Sequence, residues 1–170
     1  PASTSTMPVT TGTARESGFF WVNPFYARFP GIMTSVMDRF AGVTGRQYRL
    51  FRYTGHPDAE RVVVAIGSGC EVLDETATYL NEQGERTGVL QVTLYRPWHA
   101  DAFLAALPRT VKAIAVLDRT KEPGALGDPL YLDVLGTFAQ AAASGTWGAM
   151  PRLIGGRYGL GSKNFNPAQA

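Results

Sequence analysis

The residues with the clearest capacity for chemistry stand in a few short stretches of the 170-residue chain. Gly67-Ser68-Gly69 could begin a dinucleotide fingerprint, in which glycines let a diphosphate approach backbone N–H groups at a helix start. Val72 occupies the place of the third glycine, however, and the next strand ends in Tyr95 and Arg96 rather than a ribose-binding carboxylate. A tight turn of small residues is the plainer reading. Gly156 to Gly161, followed by Ser162 and Lys163, imitates a phosphate loop with Ser and Lys in the wrong order. It reads as a flexible exit.

Cys70, at an expected helix start, could be a thiolate favoured by the helix dipole or a small buried residue. A catalytic thiol needs a base, and the chain offers only His56, in a turn, and His99, after a strand. Both fit surface polar roles. No pair of histidines has metal-ligand spacing, and one cysteine makes neither an internal disulfide nor a cluster, which suits an intracellular, cytoplasmic chain. The richest stretch is Leu117-Asp118-Arg119-Thr120-Lys121-Glu122-Pro123-Gly124-Ala125-Leu126-Gly127-Asp128-Pro129-Leu130. Four charges directly follow an apolar run and lead into a loop stiffened by glycine and proline. Two readings stand: an ordered connection with solvated charges, or a binding and docking loop on a rigid scaffold.

These loops need elements to hold them. Gly31 to Gly45 has apolar residues Ile32, Met33, Val36, Met37 and Phe40 at helical spacing. A half-exposed strand is expected over Gln47–Tyr53, continuous β-branched strands over Arg61–Ile66 and Ala113–Leu117, and further strands over Val89–Leu94 and Arg152–Gly156. Helices are expected through Val72 to Leu80, through Phe103 to Leu107, and from Pro129, with Asp128 as N-cap. The alternation describes a doubly wound α/β domain over 31–156, whose ligands would gather at the carboxyl ends of the strands. Residues 1–30 are expected to be an extended linker and an aromatic strap, because Pro24 and Pro30 interrupt Phe19, Phe20, Trp21, Phe25, Tyr26 and Phe29. Residues 157–170 are expected to be a linker to a following domain.

Composition agrees with a packed domain. Apolar residues make up 45% and charged residues 18%, which excludes a disordered tail and suggests a surface partly meant for contact. A net charge of +2 gives no field that would make nucleic acid or an anionic membrane the main partner. No apolar run is long enough to span a bilayer.

The charged loop, together with Thr44-Gly45-Arg46-Gln47-Tyr48, Gly55-His56-Pro57-Asp58-Ala59-Glu60-Arg61, Gly67-Ser68-Gly69, Leu94-Tyr95-Arg96-Pro97 and Gly155-Gly156-Arg157-Tyr158-Gly159-Leu160-Gly161-Ser162-Lys163, resembles the pyruvate:ferredoxin (flavodoxin) oxidoreductase family. Pro8-Val9-Thr10-Thr11-Gly12-Thr13-Ala14 and Asn23-Pro24-Phe25-Tyr26 extend the resemblance to the front. It implies an internal domain similar to the carboxyl-terminal domain of transketolases: a three-layer α/β/α sandwich on a five-stranded mixed sheet, order 1-3-2-4-5, with strand 1 antiparallel. In that order Gly67, Ser68, Gly69, Arg119 and Lys121 would flank one crevice and are the candidate binding or docking residues, with no catalytic or metal-binding residue among them. The family's reaction turns pyruvate and CoA into acetyl-CoA and CO2 and reduces ferredoxin or flavodoxin. The resemblance assigns thiamine diphosphate, Mg and iron–sulfur clusters to other domains of the polypeptide and a homodimer to the parent. This segment would then have a structural and assembly role, with a CoA- or nucleotide-binding crevice as the alternative.

Overall fold

Residues 14–170 are described by the computed structural model, with side chains from Val22 onward. Five strands form one sheet: β1 (Phe51–Gly55), β2 (Arg61–Ile66), β3 (Thr87–Val92), β4 (Ala113–Asp118) and β5 (Arg152–Arg157). Their order is β1-β3-β2-β4-β5, with β1 antiparallel to β3 and the other neighbours parallel. The expected topology is therefore the observed one. The helices are α1 (Ala14–Thr44), α2 (Gly69–Glu82), α3 (Ala100–Ala106) and α4 (Pro129–Ser144).

Strands β2 and β4 are nearly continuous runs of Val, Ala, Ile and Leu; one face of each is buried and the other only partly covered. On one face Val62, Val64, Leu90, Val92, Ile114 and Val116 meet Phe103 of α3 and Phe138 of α4. Phe103 is edge-on to Phe51 and Phe138, and Phe138 to Trp147. Across the sheet, Ala65 and Val89 meet Cys70, Leu73 and Ala77 of α2. Beside α2 that second face stays open as an apolar groove, lined by Leu73, Ala77, Ala113, Ala115, Ile154 and Ala170.

Local boundaries differ from the sequence reading where tertiary bonds decide. Strand β1 starts at Phe51 rather than Gln47, because Gln47 and Arg49 turn back to the Asp38 carboxylate. Strand β3 ends at Val92, and the N–H groups of Thr93 and Leu94 both go to the Leu50 carbonyl.

The larger difference lies in the extended segment expected over residues 1–30. From Ala14 the chain is helical and runs through Pro24 and Pro30 to Thr44. A helix-interior proline removes one backbone bond and crowds the preceding turn, but two well-separated prolines still leave the other bonds to carry the helix. Pro30 is also buried against the domain, and the Thr34 hydroxyl donates to its carbonyl at 2.9 Å. The expected lead-in over residues 1–13 lies outside the described residues. The tail differs too. Tyr158 is buried, its hydroxyl donates to the Ile66 carbonyl at 2.9 Å, and Phe165 packs on its ring and on the α2 core. Residues 157–170 are thus tied back to the domain through Tyr158 and Phe165, while most of the others are exposed.

Candidate functional site

Helix α2 returns from β2 to β3 on one side, while α3 and α4 serve the opposite direction, so the strand order reverses between β2 and β4. Their carboxyl ends splay into a crevice. Gly67 turns the chain out of β2 at φ 83°, a left-handed conformation that favours glycine, and α2 begins at Gly69. The strand continuing from Asp118 delivers Arg119 opposite, where its guanidinium donates to the Ser68 hydroxyl at 3.3 Å.

The tail forms the third wall. Tyr158 reaches across the crevice so closely that a β-carbon on Gly69 would lie 2.6 Å from its ring, which explains a glycine there without any phosphate. Beyond it, Lys163, Asn164 and Phe165 complete a cleft of about 250 Å³ with Ser68, Gly69, Val72 and Arg119. Two cations and two hydroxyls line it, those of Ser68 and of Tyr158, and none of its lining residues is acidic. Of the residues expected in the crevice, Ser68, Gly69 and Arg119 come together, and Gly67 makes the turn just before them without lining the cleft. Lys121 does not line the cleft; its charge is felt instead by Asp128. Lys163, in the stretch expected to be a flexible exit, takes a place in the site. Only the tail's return could have revealed it, and no local signal marks that return.

The charged loop is built from its ends. The buried Asp118 carboxylate accepts the N–H of Leu130 at 3.0 Å and of Tyr131 at 3.1 Å, so it caps α4 from across the loop. Burial pushes its carboxyl above the usual range; the two N–H groups pull it down, and the Asp128 and Asp133 charges add to the rise. Asp128 holds the N-cap position, as expected, but its side chain does not cap the helix. It accepts the Glu122 N–H at 3.2 Å and pairs with Arg157 at 2.5 Å. Burial opposes its ionisation, yet the Arg157 guanidinium, the Glu122 N–H and the Lys121 charge hold the carboxyl below its usual range. Leu126 stands at the apex of this braced loop, 102% exposed.

The remaining reactive groups are similarly engaged. Burial lifts the Cys70 thiol to about 11, with the Asp74 and Glu71 charges adding and Arg52 opposing, so the thiolate is scarce at neutral pH. The residue is fully buried, which selects the second of its two readings. His99 Nδ1 accepts the Ala102 N–H at the start of α3, and His56 Nδ1 accepts the Asp58 N–H in its turn. The loop after β3 is pinned to α4 through Tyr95 to Asp133 at 2.8 Å and Trp98 to Thr137 at 2.8 Å. Among the described residues no three of His, Cys, Asp and Glu converge as a metal site, and a single sealed cysteine does not fit an iron–sulfur cluster. No helix among them is long and apolar enough to cross a membrane.

Comparison with known proteins places this geometry in a larger setting. A pyruvate-flavodoxin oxidoreductase of Rhodospirillum rubrum is 55% identical over 174 residues, covering 98% of this chain and 15% of that protein. A pyruvate:ferredoxin oxidoreductase of Moorella thermoacetica is 51% identical over 166 residues, covering 95% of this chain and 14% of that protein. The chain thus spans about 15% of the length of the curated relatives it matches. A solved 2-oxoglutarate:ferredoxin oxidoreductase from Magnetococcus marinus aligns over 71% of this chain and 18% of its own, at 17% identity and a TM-score of 0.44. The family described as pyruvate:ferredoxin oxidoreductase core domain II matches residues 59–158, from the turn before β2 to the Tyr158 that closes the crevice. Over that span, more than half of its length, the chain carries the defining segment, and it belongs to the pyruvate:ferredoxin oxidoreductase core domain II family.

Proposed function

We propose that this chain is a non-catalytic structural and assembly domain of a cytoplasmic pyruvate:ferredoxin or pyruvate:flavodoxin oxidoreductase. Its parent polypeptide converts pyruvate and CoA to acetyl-CoA and CO2 and reduces the carrier protein. The observation that supports this role is how fully the acids, imidazoles and thiol near the strand ends are engaged. Asp118 and Asp128 brace a loop, Asp133 anchors Tyr95 and Arg96, His99 caps a helix, and Cys70 is sealed. Groups held this way orient backbone rather than move a substrate's protons. Thiamine diphosphate, Mg and the clusters belong to the parent's other domains, and the parent is a homodimer. In the full-length polypeptide, Cys70→Ala and His99→Asn should each keep kcat within about threefold, while the isolated chain gives no pyruvate-dependent dye reduction. Turnover by the isolated chain, or a loss of kcat beyond about a hundredfold at unchanged KM and Tm, would overturn the role.

One observation favours a second reading, a CoA- or nucleotide-binding crevice. Arg119 and Lys163 bring two positive charges and Ser68 a hydroxyl to a cleft whose lining carries no acid, and Gly69 leaves room where a β-carbon would meet Tyr158. That set suits a phosphate group. Calorimetry with CoA distinguishes the two: saturable binding weakened by Arg119→Ala and untouched by Lys121→Ala supports it, and a flat titration removes it.

A further inference from the structure

Helix α1 carries two apolar stripes, and its own domain uses one. Pro30 and Met37 are buried and Met33, Thr34 and Ala41 half-buried, all within one narrow sector of the helical wheel. Phe25, Phe29, Ile32, Val36, Phe40 and Val43 follow a second line at spacings of three and four, and all six are exposed, Phe25 by 72% and Val43 by 86%. With Val22, which lies on the same line, they leave a continuous apolar strip open from Val22 to Val43. A continuous apolar strip on a soluble domain marks a contact.

The charges beside this stripe indicate what covers it. Arg28 and Arg39 lie along its outer edge, and Arg39 lines a hollow with Val36, Phe40 and Val43. From Val22 onward the only carboxylate of α1 is Asp38, which points the other way and pairs with Arg49 at 2.8 Å. A second copy would therefore set arginine against arginine with no free carboxylate from Val22 onward to answer, and Pro24 interrupts the regular ladder that a paired helix needs. The relatives supply another source, since this segment is 15% of the Rhodospirillum rubrum protein.

We infer that the open stripe of α1 is a docking face for the remainder of the parent polypeptide, which meets it with an apolar groove edged by carboxylates. The inference rests on the assembly role proposed above and assigns that role a surface. Hydroxyl-radical footprinting tests it, comparing the full-length polypeptide with the isolated 170-residue chain, whose state is read by sedimentation. Phe25, Phe29 and Phe40 should be protected about fivefold or more in the full-length polypeptide and react freely in a monomeric isolated chain. Ile32→Glu with Val36→Glu should leave the Tm of the isolated chain within about 2 °C and abolish that protection in the full-length polypeptide. An isolated chain that dimerises through these phenylalanines would overturn the inference in favour of a second copy. Equal reactivity in both forms would overturn it as well. If the isolated chain is inert, that second result removes only this face; turnover by the isolated chain is what would remove the assembly role.

Discussion

Asp118 and Asp128 stand at opposite ends of one loop and have opposite linkage to pH. Asp128 is depressed in the folded state, so its stabilisation is fully present above its unfolded value and is lost as pH falls through the folded one. Asp118 is raised, so its contribution has the reverse sign, present below its unfolded value and lost as pH rises through the folded one. Asp128→Asn keeps an acceptor for the Glu122 N–H and deletes the charge that Arg157 answers. The denaturant midpoint should therefore differ most from wild type near neutrality, and the two should converge as pH falls below the ordinary aspartate value of about 3.9. A gap that stays constant with pH would mean that the Arg157 pair contributes nothing through charge.

Among the elements, the strands are where the sequence spoke most clearly. Arg61–Ile66 and Ala113–Asp118 are continuous apolar runs, as the interior strands of a parallel sheet are expected to be, with one face of each buried and the other partly covered. The part of helix α1 before Gly31 was hidden because two prolines counted locally against a helix, while the burial of Pro30 that compensates is a tertiary fact. The candidate site was half legible for a related reason. Gly67, Ser68, Gly69 and Arg119 sit at strand ends, where pattern alone puts them, whereas Lys163 and the Asp118 cap depend on where a distant segment comes to rest. That dependence can be tested at the meeting of α2 and the tail. Gly69→Ala should cost about 1–3 kcal/mol by forcing Tyr158 away, and in a Tyr158→Ala background the same change should cost much less. Additive costs by chemical denaturation would place the strain elsewhere.

Over the whole molecule, packing is uneven. The sheet and its aromatic core hold one dense centre, while α1 from Val22 to Phe29 runs past it with every side chain exposed. Helices draw most of their stability from a packed face, so this stretch should be the weakest part of the isolated chain. Its amides should exchange roughly tenfold or more faster than those of Met33 to Ala41, measured by hydrogen exchange at neutral pH. Equal protection along α1 would show that the helix holds itself without the domain.

The bond from the Tyr158 hydroxyl to the Ile66 carbonyl spans 92 positions of sequence. The entropy of closing a loop grows slowly with length, about 0.6 kcal/mol for each doubling, so the span itself is a modest cost. What brings the two residues together is the pairing of β5 with β4 and of β4 with β2. The basic cleft is completed by Lys163, Asn164 and Phe165, which follow the clasp in sequence. A nascent chain that has not yet been extended beyond Tyr158 can own the entire sheet and still have no cleft.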